Sequence, residues 1–344
     1  MNRTDKIRKM IEVLPEWYQN AGRQLPWREK PSPYHVWISE IMLQQTRIET
    51  VIPYYRRFLS EIPDITHLAE ADPEHLHKLW EGLGYYSRVR NLQTAAKQIM
   101  TQFGGHFPET YEDIRSLCGI GDYTAGAIAS ICFDLPQPAV DGNVLRVLAR
   151  ITEDSRPINS EKLKKEIRTE LASLYPSEKC GVLTQAIMEL GETVCLPNGL
   201  PNCADCPCRY FCGTGQNDPM HYPIKEAKKE RKVEQLTVFL LTCNGLTAIR
   251  KRPAEGLLSG LWEFPNCPEH LSEADTLHQA EIWGCQHPVF IGVKSNRHVF
   301  THIEWNIRCY TLSCDSTSDL FTWVSDQQLD DEIPLPTAFR KLLK

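Results

Sequence analysis

The chain reads as two unlike domains, an all-α N-terminal region followed by a smaller α/β region, and three observations lead there. Apolar residues recur at helical spacing through most of residues 5–192. Five of the 13 cysteines fall between Cys195 and Cys212. Beyond a polar stretch at 213–232 the pattern turns to alternating and β-branched runs separated by turn residues such as Asn244-Gly245. With 344 residues the chain is long enough for both cores. No apolar run approaches the length of a membrane span, and Met1–Lys6 has no apolar signal region behind it. A cytoplasmic protein with no membrane partner is therefore expected.

The net charge of −6 does not by itself favour a nucleic-acid partner. Its distribution matters more. Residues 1–60 carry ten basic and six acidic side chains, against nine and fourteen in residues 233–344. An acidic protein still grips DNA if one face is basic and backbone amides share the work.

Taken in order, residues 5–21 form an amphipathic helix through Ile7, Ile11, Leu14 and Trp17. The loop Arg23–Arg28 then offers Trp27 and Arg28, either a capped helix end with a core aromatic or a stacking platform for a base. Tyr34–Leu43 is helical, and in it Glu40 sits between apolar neighbours, either solvated or partly desolvated with a raised pKa. Gln45 and Thr46 follow, with an amide and a hydroxyl suited to base edges and phosphate. Helical patterns continue over 51–59, 67–71 and 75–83 before Leu83-Gly84-Tyr85-Tyr86-Ser87-Arg88 interrupts them. That break is a turn with packing aromatics or a wedge flanked by phosphate-binding arginines. A helix is expected from Asn91 to Gln102.

The all-α region is organised around Leu117–Asn143. An amphipathic segment, 111–117, meets Gly119-Ile120-Gly121, and a small-residue helix, 124–131, leaves it. Two glycines permit a tight hairpin that presents unhindered amides at a helix N-terminus, a grip on phosphate that needs no side-chain charge. Read alone it is an ordinary helix–helix turn. Asp141, in an Asp-Gly-Asn turn just before the next helical pattern, adds an acid at a helix start. Further helices run to about Glu192. Cys195, Cys203, Cys206 and Cys212 then give Cys-x7-Cys-x2-Cys-x5-Cys with Cys208 extra, a set that suits tetrahedral zinc or a cubane iron–sulfur cluster equally. The polar run 213–232 reads as an interdomain linker. Strands are expected over 236–242, 246–250 and 305–311.

Together these stretches resemble the MutY-type adenine DNA glycosylases of the helix-hairpin-helix superfamily. The matching residues are Leu25–Arg28, Trp37–Thr46, the hairpin, Val140–Asn143, the cysteines and Gly256–Pro265. The resemblance covers essentially the whole chain. It implies an all-α helix-hairpin-helix glycosylase region over 1–212 in two lobes, with a 4Fe–4S cluster on Cys195, Cys203, Cys206 and Cys212. It implies further a linker over 213–232 and a Nudix-like 8-oxoguanine recognition domain over 233–344. The implied activity is removal of adenine mispaired with 8-oxoguanine or guanine in double-stranded DNA, by a monomer. Three departures stand out: Cys118 replaces a usual proline in the hairpin, the first cysteine gap is seven rather than six, and Phe300-Thr301-His302 replaces Phe-Ser-His. The paired glutamates of a Nudix box are absent.

On that resemblance Glu40 is the general acid that protonates the departing base and later activates water. Asp141, ionised beside Asn143, stabilises the oxocarbenium-like sugar. The target base is flipped out first. Gln45 and Tyr85 act as the wedge, Thr46 and Leu83 also bind DNA, Trp27 and Arg28 line the pocket, and Gly119 and Gly121 hold phosphate. Phe300, Thr301 and His302 read the oxidised base. Tyr123 stands where lyase relatives carry a lysine, and a phenol forms no Schiff base, so a monofunctional enzyme is expected rather than an endonuclease III-like lyase. An iron–sulfur redox protein that merely binds DNA would leave Glu40 and Asp141 without a role.

Overall fold

The computed structural model describes residues 1–215, 218–226 and 230–343. Residues divide into two compact units, Met1–Glu70 with Arg90–Ala227, and Ala71–Val89 with Lys228–Lys344. The first is helical, as its periodicity requires. Its elements are α1 (Arg3–Ala21), α2 (Pro26–Glu29), α3 (Pro33–Leu43), α4 (Ile48–Glu61) and α5 (Ile65–Glu70). After α6 (Pro73–Leu79), which belongs to the second unit, come α7 (Ser87–Gln102), α8 (Tyr111–Ser116), α9 (Asp122–Phe133), α10 (Gly142–Thr152), α11 (Glu161–Ala172) and α12 (Cys180–Thr193).

Side chains set the starts of these helices. Asn2, Ser32, Thr110, Asp141 and Ser160 each accept a hydrogen bond from the backbone amide three residues on, which satisfies a donor with no partner inside the helix. The core of this unit joins Ile7, Met10 and Leu14 of α1 to Val144, Val147, Leu148 and Ile151 of α10 and to Leu183, Ile187 and Leu190 of α12. Those spacings put each set on one face of its helix. Cys208, wholly buried, closes one end of the same core.

Part of the segment expected as a linker is packed. Gly213 and Thr214 donate to the carbonyls of Ile151 and Arg150, and Ile158 donates to that of Ile224. Arg150 Nε in turn donates to the carbonyls of Pro219 and Tyr222 at 3.0 Å each. Within the expected linker, residues 216–217 and 227–229 lie outside the described residues.

The second unit is a mixed sheet with helices on both faces. Its strands are β1 (Lys232–Cys243), β2 (Leu246–Lys251), β3 (Trp262–Glu263), β4 (Asn266–Pro268), β5 (Val289–Val299), β6 (Ile303–Ser313) and β7 (Thr322–Ser325), and its helices are α13 (Glu273–Ile282), α14 (Asp326–Asp331) and α15 (Thr337–Arg340). The main path runs β3-β2-β1-β6-β5, with β4 on β1 and β7 on β2. β1 and β6 pair in parallel and the other pairs are antiparallel. Asn244 and Gly245, both at positive φ, turn β1 into β2. Alternation along β1 sends Val238 and Leu240 to one core, with Trp305, Ile307, Leu335 and Phe339, and Phe239 and Leu241 to the other, with Tyr310, Leu312 and Ala280. Strand β5 is absent from the sequence-based expectation because its short apolar start, Val289-Phe290-Ile291, gives way to the all-polar run Lys294–His298.

Residues 71–89 are stapled into this unit by polar contacts. Glu74 takes Lys251 Nζ at 2.6 Å and Trp262 Nε1 at 3.0 Å, and Glu81 takes Arg340 at 2.8 Å. Lys78 Nζ donates to the carbonyls of Asp330 and Ile333. The helix expected over 75–83 ends at Leu79, where Gly82 and Gly84, at φ of 99° and 71°, bend the chain instead.

Candidate active site and nucleic-acid interface

α3 carries Glu40 inward. Its neighbours on both sides are buried, and the carboxyl is 6% exposed. Burial pushes its pKa up to about 7, with the charge of Asp141 adding to the rise, while the Tyr123 hydroxyl and the Arg28 guanidinium oppose it. Among the described residues, Oε2 of Glu40 has no hydrogen-bond partner. A buried carboxylate oxygen left unpaired is costly, so this group holds its proton far more readily than a surface glutamate. Tyr123, in the first turn of α9, faces it with a phenol that burial and the nearby Glu40 and Asp141 hold well above the ordinary tyrosine range.

Asp141 is built differently. As the cap of α10 it accepts from the Val144 amide at 2.8 Å, and Asn143 Nδ2 donates to its other oxygen at 3.0 Å. Burial raises its pKa and Glu192 adds to the rise, while the Val144 and Asn143 amides and Arg146 pull it down. Asn143 also donates to Glu192 at 2.9 Å and accepts from Arg146 at 2.8 Å. Arg146 runs on to the carbonyls of Gly191 and Cys195, and Arg150 Nη1 reaches Cys195 Sγ at 3.3 Å. One face of α10 thus ties the acid to the start of the cysteine loop.

The other pocket residues stand close by. Trp27 is buried with its ring edge-on to Tyr55 at 5.4 Å. Arg28 lies 5.3 Å over the Tyr18 ring and pairs with Glu189 at 2.9 Å. No local pattern marks Glu189, between Met188 and Leu190 of α12, Glu192 in the last turn of that helix, or Gln98.

The hairpin between α8 and α9 has the expected form. Gly119 sits at φ 75°, and a Cβ there would come within 2.6 Å of the Asn91 side chain, so only glycine fits. Gly121 caps α9 facing open space. The Cys118 amide donates to Gln98 Oε1 at 2.7 Å, a bond proline could not make. Asp122 is held by Arg115 at 2.7 Å and Arg168 at 2.6 Å.

Gln45 and Tyr85 share an uncommon feature. Both are exposed and both adopt positive φ, 58° and 49°, which strains a residue with a side chain. Thr46 Oγ1 turns back to the Gln44 carbonyl at 3.4 Å. Leu83 and Tyr86 are buried under the Tyr85 turn. Arg88 corrects the expectation of a phosphate ligand: it is buried, donates to the carbonyls of Leu83 and Gly84, and stacks on Trp80 at 5.3 Å and Tyr85 at 5.7 Å. Phe300, Thr301 and His302 form the tip of the β5–β6 hairpin, closed by the Phe300 amide donating to the Ile303 carbonyl. Phe300 packs against His298 at 4.6 Å and Trp305 at 4.9 Å, while Thr301 and His302 are exposed. Thr301 Oγ1 and the Tyr85 hydroxyl are 2.7 Å apart.

In the cysteine loop, Cys195, Cys206 and Cys212 lie partly buried against the core that encloses Cys208. Among the described residues no three His, Cys, Asp or Glu side chains stand at metal-binding separation. The donor set is nevertheless all thiol, within one short loop folded on α10.

The chain is similar to known proteins over both its helical region and its C-terminal region. Residues 38–177 match the model of the HhH-GPD superfamily of base excision DNA repair proteins, and residues 237–344 match that of the NUDIX domain. The chain is 33% identical to an adenine DNA glycosylase of Rattus norvegicus, over 96% of this chain and 76% of the relative. It is 31% identical to that of Homo sapiens, over 96% and 72%, and 30% identical to that of Buchnera aphidicola subsp. Acyrthosiphon pisum, over 97% and 96%. The helical fold is shared with a solved thermostable thymine-DNA glycosylase, with TM-score 0.56 and 24% identity over 62% of this chain and 99% of that one. A trapped endonuclease III–DNA covalent intermediate matches with TM-score 0.54 and 22% identity, over 63% and 98%. Among the described residues no helix is long and apolar enough to cross a membrane. By its likeness to these relatives along nearly its whole length, the chain belongs to the adenine DNA glycosylase family.

Proposed function

We propose that this chain hydrolyses the N-glycosidic bond of adenine mispaired with 8-oxoguanine or guanine in duplex DNA, without cutting the strand. The observation that carries the reading is Glu40, a buried carboxyl with an unpaired oxygen and a pKa raised to about 7. Adenine leaves poorly until a ring nitrogen is protonated, and a carboxyl titrating near neutrality is matched to that task. After the transfer the Tyr123 hydroxyl and Arg28 favour the carboxylate, which is then ready to activate water. Asp141, held by the Val144 amide and Asn143, supplies negative charge to the oxocarbenium-like sugar.

The remaining roles follow the same reading. Gly119 and Gly121 hold phosphate, Gln45 and Tyr85 enter the stack as the adenine flips out, and Thr46 and Leu83 bind DNA. Trp27 and Arg28 line the base pocket. Phe300, Thr301 and His302 read the opposite base, so that residues 1–212 carry catalysis, 233–344 carry recognition, and 213–232 join them. With Tyr123 in place of an amine there is no Schiff-base nucleophile. Cys195, Cys203, Cys206 and Cys212 would hold one 4Fe–4S cluster, which when bound pins the loop that carries Arg209.

The test is base release from duplexes with adenine opposite 8-oxoguanine or guanine, developed with and without alkali. Cleavage only after alkali, faster opposite 8-oxoguanine, supports the reading. Nicking without alkali would assign a lyase, and equal rates would remove the hairpin tip as reader.

A further inference from the structure

Glu189, on the inner face of α12, is wholly enclosed and yet charged. It accepts from Arg23 Nε at 2.6 Å, Arg23 Nη2 at 3.2 Å and the Arg23 amide at 3.1 Å, and pairs with Arg28 at 2.9 Å. Arg28 adds a bond to the Arg23 carbonyl at 3.1 Å and lies over Tyr18, whose hydroxyl is fixed by Gln185. Burial works against the Glu189 charge, but the bonds from Arg23 and Arg28 more than offset it, and its pKa is lowered. Two guanidinium groups therefore share one buried carboxylate.

That arrangement bears on the candidate acid. The charge of Arg28 favours the ionised form of Glu40, as the hydrogen bond from Tyr123 of α9 does, while the charge of Asp141 at the start of α10 opposes it and Cys132 of α9 feels the same carboxyl. A cation in that place works against a proton donor, because it favours the charged carboxylate. Something must limit its influence.

We propose that Glu189 is a positioning residue for the adenine-release reaction: it tethers Arg28 and Arg23 to α12 and balances their charge, so that Glu40 keeps its proton in the pocket. Glu189 touches neither substrate nor Glu40; it acts through Arg28. The inference rests on Glu40 being the proton donor. Its charge logic has an unusual consequence, since removing the anion and removing the cation move the same acid in opposite directions. Without Glu189 the two arginines stand unbalanced and Glu40 gives up its proton at lower pH. Without Arg28 the carboxylate loses a supporting charge and Glu40 keeps its proton to higher pH.

The experiment is the pH profile of single-turnover base release by the full chain, on a duplex with adenine opposite 8-oxoguanine. In Glu189→Gln the high-pH limb moves down by about one pH unit; in Arg28→Met it moves up by a similar amount, the low end of what one charge near a carboxyl contributes. Glu189→Asp, which keeps the charge, stays near the parent, and the double variant Glu189→Gln with Arg28→Met returns toward it. A Glu189→Gln enzyme that is slower by one factor at every pH, with the limb unmoved, overturns the proposal in favour of a purely structural role. If Glu189→Gln does not fold, the Arg28→Met limb decides: unmoved or lowered, it overturns the proposal. Glu40→Gln run alongside separates the two levels. If it still releases base within about tenfold of the parent, the acid assignment itself fails; if it is inactive and the limbs do not move, only the role of Glu189 fails.

Discussion

Glu40 and the tip of the β5–β6 hairpin are built for opposite solvent regimes. Glu40 is enclosed by α3, α9 and α10 with 6% exposure, whereas Thr301 lies at the surface and Tyr85 beside it is 47% exposed. A proton donor gains from a dry setting, because desolvation is what lifts a carboxyl toward neutral pKa. A reader of base identity gains from an accessible hydroxyl that exchanges water for a partner with little penalty. Single changes should therefore cost much in the first region and little in the second.

Apart from Glu40 itself, the largest effect belongs to Asp141. Asn caps helices as well as Asp does, so Asp141→Asn keeps α10 in place while removing the charge. Adenine release is expected to fall about 10²–10³-fold, the range for losing one preorganised electrostatic group, with DNA affinity near the parent's. Equal losses in affinity and rate would mean that the cap, not the charge, matters.

Stability gives the next contrast. The folded pKa of Glu40 is about 7 against 4.5 for an unperturbed glutamate. Below the lower value both states hold the proton and nothing is lost. As pH rises through the higher value the unfolded chain has already released its proton, so stability falls, by up to about 3 kcal/mol at pH 8. Glu40→Gln removes that slope. It should melt higher than the parent at pH 8, and by much less at pH 5.

Cys208 is expected to have an intermediate effect. Its thiol is fully enclosed in the α1–α10–α12 core, and a serine hydroxyl there costs about 1–3 kcal/mol. Cys208→Ser should lower the melting temperature and keep any visible cluster absorption, whereas Cys206→Ser should lose that absorption. The reverse pattern would reassign the ligands.

Smallest is the exposed pair of hydroxyls 2.7 Å apart. Tyr85→Phe and Thr301→Val should leave stability within about 0.5 kcal/mol, as surface changes do. Each should cut the preference for 8-oxoguanine over guanine several-fold, worth about 1 kcal/mol, and the double variant should match either single one if the two act as a unit. Additive losses would show two independent contacts.

Much of this was legible because it is written locally. Asp141 before Gly142-Asn143 announces a cap and Gly119-Ile120-Gly121 announces a hairpin, whereas the apolar residues on both sides of Glu40 leave it open between solvated and buried. What sequence spacing does not carry is partnership at a distance. Tyr85 and Thr301 are 216 residues apart. Glu74 and Glu81 read as ordinary exposed helix positions until Lys251, Trp262 and Arg340 meet them and draw residues 71–89 into the second unit. Arg88 looks like a surface cation beside tyrosines, yet the carbonyls of Leu83 and Gly84 bend back and bury it. The parallel pairing of β1 with β6 likewise depends on a crossover that no local pattern records.

The central claim, that a single buried proton on Glu40 drives base removal, is tested most directly by single-turnover adenine release from pH 5 to pH 9. The parent and Glu40→Gln are compared on the same duplex, with adenine opposite 8-oxoguanine. The expected result is a parent rate that declines above about pH 7, following the Glu40 carboxyl, and a variant slower by about 10²–10⁴ that still binds the duplex. A variant within about tenfold of the parent, or a parent rate that stays level to pH 9, would contradict it.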